Sequence, residues 1–172
     1  MRNFLHLLAG VILLPAAISA ADLSSVLQRE AGKFALAWQR SDYEKIITFL
    51  PPPVISKSGG RAVAVRELKE QFAQARSLGA ERLEAVLGRP APFRKIGFWL
   101  TSVIPVTAVV HSARLDLTQQ THVLGLSNDQ GKHWFFVLLY QATQDDLSAW
   151  FPEFKGKLIV PVEPAPQMDF VY

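Results

Sequence analysis

The chain has 172 residues, of which 49% are hydrophobic and 19% charged, with four tryptophans, no cysteine and a formal net charge of +3. That balance excludes disordered, collagen-like and disulfide-stapled classes, and the length suits one domain with a sizeable apolar core. Composition alone names neither a reaction nor a substrate.

Residues 1–21 read as an export signal rather than as part of the fold. Arg2 gives a short basic start, Leu5 to Leu14 an apolar run, and Pro15 to Ala21 a stretch rich in small residues, with a cleavage point after Ala20 or Ala21. The apolar run is shorter than the roughly 20 residues a membrane-spanning helix needs, so no stable membrane anchor is expected. The expected address is therefore periplasmic or secreted, and in a Gram-negative cell the periplasm. Loss of the segment removes Arg2 as its only charged side chain and leaves a net charge of +2. The remaining lysines and arginines, from Arg29 to Lys157, are scattered rather than clustered, which argues against a nucleic-acid face. With no cysteine there is no disulfide and no residue at the cleavage point to carry lipid.

From Asp22 to Gln39, Leu23, Val26, Leu27, Phe34 and Trp38 recur at helical spacing, and Asp22 or Ser24 can cap the helix. Asp42 is placed to cap a second short helix carrying Ile46, Ile47, Phe49 and Leu50, which Pro51-Pro52-Pro53 ends. Val54 to Ser56 fits a short strand, and Ser58-Gly59-Gly60 a turn. A third helix is expected from Arg61 to Leu78, with Val65, Leu68, Phe72 and Ala75 inward and Gly79 as its stop. Beyond Gly79 the period changes to two. Strands are expected at Arg82 to Leu87, Lys95 to Ser102, Val106 to Thr118, Thr121 to Ser127 and His133 to Gln141, with Pro105 at a bend. Thr143 caps a last helix ending at Trp150, and the Pro-rich tail from Leu158 to Tyr172 reads as extended.

Helices followed by antiparallel strands predict an α+β domain spanning residues 22–157, its helices covering one face of a curved sheet. Trp38 ahead of Asp42-Tyr43, Gly59-Gly60 ahead of the third helix, and the hairpins from Arg82 to Gln141 resemble the NTF2-like (SnoaL-like) superfamily, whose cystatin-like cone encloses a pocket. The resemblance implies a cone-shaped fold. It leaves function open, because that superfamily includes isomerases, dehydratases, ligand binders and adaptors.

The hairpin register decides which side chains share a face. A tight turn at Thr118-Gln119 pairs Leu115 with His122 and His111 with Leu126, and a loop at Asn128 to Gly131 pairs Leu126 with His133. His111, His122 and His133 then share an apolar face with Leu124 and Phe135. In an NTF2-like cone that face lines the pocket, so the expected pocket residues are Trp38, Tyr43, His111, Leu124, His133 and Phe135. Any of the three histidines could act as general base, with Tyr43 as donor. Across one intervening strand His111 and His133 stand about 9 to 10 Å apart, too far to share a zinc ion. No metal and no cofactor is expected.

Ser127-Asn128-Asp129-Gln130-Gly131-Lys132-His133-Trp134 resembles the Asp-box of sialidases, a structural hairpin in which the aspartate ties the turn amides. This chain has one copy and no propeller repeat. With Phe93 and Phe98, Trp99, Trp134, Phe136 and Tyr140 form an aromatic set on the opposite sheet face, which a homodimer would cover. The expectation is a non-catalytic domain that binds a small apolar ligand or a partner protein. The alternatives are a cofactor-free isomerase or dehydratase and an accessory protein at the inner membrane.

Overall fold

The computed structural model describes residues 20–161 and 163–170, so the predicted signal peptide, apart from Ala20 and Ala21, lies outside the described residues. The fold is α+β: helices precede a curled antiparallel half-barrel. No helix among the described residues is long and apolar enough to cross a membrane.

Helix α1 (Ala20–Gln39) turns Leu27, Ala31, Phe34 and Ala37 inward at spacings of three and four, so one stripe is buried along its length. Asp42 caps α2 (Tyr43–Phe49) by accepting from the Lys45 amide at 3.1 Å. The expected strand at 54–56 is instead helix α3 (Pro52–Lys57). Proline is preset for the first helical turn, where its missing N–H costs nothing, so Pro52 and Pro53 start a helix rather than merely ending one. Helix α4 (Arg61–Ser77) buries Ala64, Val65 and Leu68, while Ala75, expected inward, is exposed.

The sheet runs β1 (Arg82–Leu87), β3 (Trp99–His111), β4 (Leu115–Ser127) and β5 (Phe135–Leu138), with β2 (Arg94–Ile96) also on β3 and β6 (Gln167–Phe170) also on β4. Its centre is one hairpin of two 13-residue strands. The turn is at residues 112–114, not at Thr118-Gln119. Ser112 fixes it there: its amide and hydroxyl both donate to the Leu115 carbonyl, and its Oγ accepts from the Leu115 amide at 3.1 Å. His111 therefore pairs with Asp116 and His122 with Pro105, while Leu126 pairs with Phe135 instead of His133. Both shifts are even, so the paired strand residues keep the company of their predicted face; His133 lies in the loop before β5 instead. Pro105 lies in a continuous strand; its carbonyl accepts from Gly88 at 2.7 Å, so its missing donor falls in the gap between β1 and β2.

Both faces of the sheet are covered, not one. On one side α1, α2 and α4 bury Ile104, Val123, Trp134 and Phe136, with Phe136 stacked on Phe34 at 5.2 Å. On the other, helix α5 (Gln144–Trp150), the turn at Pro152–Phe154 and Leu158 bury Trp99, Leu124, Leu126 and Val137. A capping box between Thr143 and Asp146 starts α5. The tail gains partners: β6 pairs with residues 115–118 of β4, and Glu163 accepts from the Thr121 hydroxyl at 2.5 Å and the His122 amide at 3.2 Å.

Gly125 sets how closely α1 approaches the sheet. A Cβ there would stand 2.8 Å from Leu27 Cδ1, inside van der Waals contact. Gly125→Ala is expected to lower stability by about 1 to 3 kcal/mol, the range for overpacking a filled core. Urea unfolding measures the loss, and Leu27→Ala in the same chain should recover part of it if this contact is the cause.

Candidate functional site

The outer half of the long hairpin extends beyond the main helical core. Small side chains at Ala35, Ala85 and Ala108 leave space there, and the curl of the sheet closes it into a cone of about 260 Å³. Its wall is Phe34 and Trp38 of α1, Leu83 and Leu87 of β1, Val106 and Val110 of β3, Leu117 and Val123 of β4, and Leu138. Among the described residues, polar groups enter this wall only from Trp38, Gln119, Thr121 and Tyr140, and no charged side chain lines it.

Those polar groups differ in what they have left to offer. Thr121 already donates to Glu163, and the Gln119 amide nitrogen to the carbonyls of Gln120 and Pro164. Burial and the neighbouring negative charge of Glu163 push the Tyr140 phenol up to about 12, so it stays protonated, although the side chain as a whole is 51% exposed. The Trp38 indole Nε1 is closed off from solvent and has no hydrogen-bond partner among the described residues. A buried donor left this way costs free energy.

Beside the cone lies a wider vestibule of about 490 Å³, between the end of α1, the last turns of α4 and the start of β1. Trp38, Leu83, Val110 and Tyr140 belong to both chambers. The vestibule wall is still largely apolar, but unlike the cone it carries charged side chains, Arg40, Arg76, Glu81 and Arg82. Trp38 also borders a third hollow, between α1, α3, α4 and Trp150.

Of the expected pocket residues, only Trp38 lines the cone. Tyr43 packs edge-on against Phe72 at 5.3 Å in the helical core. His111, His122, Leu124 and Phe135 do share a face, but it is the face opposite the cone. His111 lies 3.0 Å from Asp116 and 3.5 Å from Glu84 on the outer side of the sheet, and His122 lies 3.9 Å from Glu163. Leu124 is fully buried in the second core, where Phe135 meets Trp99 edge-on at 6.4 Å. His133 belongs to the loop, with its side chain 82% exposed. Alternation assigned these residues to one face; which face is concave depends on where the helices dock.

The expected interface aromatics are also placed differently. Trp99, Trp134 and Phe136 are buried within the chain's own two cores, while Tyr140 and Phe98 remain exposed. Helices of the same chain cover these aromatics, α1, α2 and α4 covering Trp134 and Phe136, and α5 with the turn after it covering Trp99. Missed by sequence reasoning were the cone residues Val106, Ala108, Val110, Leu117, Gln119 and Thr121. Their period-two alternation was readable, and Ala85 and Ala108 within apolar strands were the signal for space.

Among the described residues no group of three or more histidine, aspartate or glutamate side chains is arranged to hold a metal ion. Comparisons with protein-family models, with curated proteins and with solved structures gave no match.

The loop at 127–134 folds as a polar staple. Asp129 Oδ1 accepts from the Lys132 and His133 amides at 3.1 and 2.9 Å, and Oδ2 lies 2.5 Å from His133 Nδ1. Ser127 Oγ accepts from Gly131, whose φ of +89° favours glycine, and Trp134 Nε1 donates to the Gly131 carbonyl at 3.0 Å. Burial works against ionisation of Asp129, but the His133 amide and imidazole and the Ser127 hydroxyl outweigh it and hold the carboxyl at about 2. A carboxyl depressed on folding stabilises the protein above its unfolded value and loses that contribution as pH falls toward the folded one. The shift from 3.8 to about 2 amounts to about 2 kcal/mol, at 1.36 kcal/mol per pH unit. Urea unfolding should find Asp129→Asn about 1 to 2 kcal/mol less stable than the parent at pH 7, with the difference shrinking between roughly pH 5 and pH 2.

Proposed function

We propose that the chain is an exported, NTF2-like ligand-binding domain that takes a small, largely apolar molecule into the cone without changing it chemically. The apolar cavity beside α1 is the observation that carries this reading. Its about 260 Å³ approaches the roughly 300 to 1,000 Å³ usual for small-molecule sites, and its wall has the expected form, mostly hydrocarbon with a few polar groups. The basic, apolar and small-residue succession before Asp22 supports export. The order of helices and strands around a cone supports the NTF2-like assignment.

The alternative, an acid-base enzyme, relied on a histidine in the cavity. None of His111, His122 and His133 lines it. A general base must come within about 2.6 to 3.2 Å of the proton it takes, directly or through one water, and these three side chains face away from the cone.

Two expected outcomes test the binding reading. A neutral fluorescent probe such as N-phenylnaphthylamine should bind the full chain with enhanced emission. Ala108→Phe, which fills the cavity from the β3 wall, should abolish that enhancement while thermal unfolding remains cooperative. Retained binding in the filled variant would place the probe elsewhere and sink the reading. Replacement of His111, His122 and His133 by glutamine should leave probe affinity within about twofold, because the histidines lie on other surfaces.

A further inference from the structure

We propose that the cone's ligand is a single-chain amphiphile with an anionic head, a carboxylate or a phosphate, whose chain occupies the cone and whose head lies in the vestibule. This rests on the cone being a ligand site and adds the chemical class of its occupant. The two chambers share Trp38, Leu83, Val110 and Tyr140, so one extended molecule can occupy both. Their walls differ in charge: the cone carries no charged side chain among the described residues, whereas the vestibule, otherwise largely apolar, carries three arginines and one glutamate.

The arginines are not equally committed. Arg82 is paired with Glu84 at 2.5 Å. Arg76 donates only to the Ser41 hydroxyl, at 3.0 Å, and the Arg40 guanidinium makes no hydrogen bond or ion pair among the described residues. Ser41, in a left-handed conformation at φ +53°, lies between α1 and α2 and brings that hydroxyl to Arg76. Two guanidinium groups at one mouth, with only Glu81 to oppose them, suit a carboxylate or phosphate, whose oxygens they bind in pairs. The orientation follows from charge as well. Glu163 stands behind the Thr121 wall of the cone and would repel an anion inserted head-first. Trp38 borders both chambers, where a chain gives way to a head.

Displacement of N-phenylnaphthylamine from the full chain tests this with three competitors of equal chain length, all below the concentration at which they form micelles: dodecanoate, dodecyl phosphate and dodecanol. In low salt at least one anion should displace the probe at about tenfold lower concentration than dodecanol, a gap of about 1.4 kcal/mol. Added salt should narrow that gap, since the vestibule is open to solvent. The stronger anion identifies the head as carboxylate or phosphate. In the double variant Arg40→Gln, Arg76→Gln the gap should close, and in Arg89→Gln, an exposed position in the loop after β1, it should persist. If dodecanol equals both anions, or the gap survives the double substitution, the anionic-head proposal is overturned and the cone remains a ligand site. If the probe itself does not bind, both readings fall.

Discussion

One hairpin must satisfy two different environments on its two faces, and the rest of the fold follows from that constraint. Along β3 and β4 successive side chains point to opposite sides of the sheet. Near the base of the hairpin both sides are hydrophobic: Ile104 and Val123 face the helices α1, α2 and α4, while Trp99, Leu124 and Leu126 face α5 and the turn after it. Neither helical layer can be removed without exposing half of the alternation. Near the tip the two faces differ: Val106, Ala108, Val110 and Leu117 look into the cone, while Thr107 and Gln120 hydrogen-bond to each other on the outside.

The cavity is a product of where α1 makes contact. Leu27 presses against Gly125, and Phe34 stacks on Phe136, so the helix is tightly seated at the hairpin base. Toward its C-terminal end α1 meets a sheet that is curling away, and Ala35, Ala85 and Ala108 are too small to fill the difference. Native interiors are close-packed, and a void of this size forgoes contacts that larger side chains would make. An apolar ligand would restore those contacts. The same geometry brings the start of β1, the end of α4 and the end of α1 together around the mouth, which is how Arg40, Arg76 and Arg82, scattered along the chain, come to share one surface.

Beyond Leu158 and Val160, which join the second core, the tail adds an edge. The edge of β4 facing away from β3 is covered by β5 over 123–126 and by β6 over 115–118, and between them Glu163 and the Pro164 carbonyl meet Gln119, Thr121 and His122. An unpaired strand edge is a template for unwanted association. Prolines at 161, 164 and 166 keep the segment extended, while its amides and carbonyls take up the ladder only from Gln167.

The sequence by itself determined the elements whose signals are local. The α1 stripe, the Asp42 and Thr143 caps, the stop at Gly79 and the Ser127–Trp134 staple each depend on residues a few positions apart. Alternation also determined which strand residues travel together, and it survived two errors of register because both were even. Tertiary structure alone decided which of the two faces is concave. The expected histidine pocket fell on the outer side because the curl of the sheet and the docking of α1, α2 and α4 are set by contacts between distant segments, such as Leu27 with Gly125. The same holds for Trp99 and Trp134: their hydrophobicity required a cover, but only the arrival of α5 on one face and of the helical layer on the other showed that the cover belongs to the same chain.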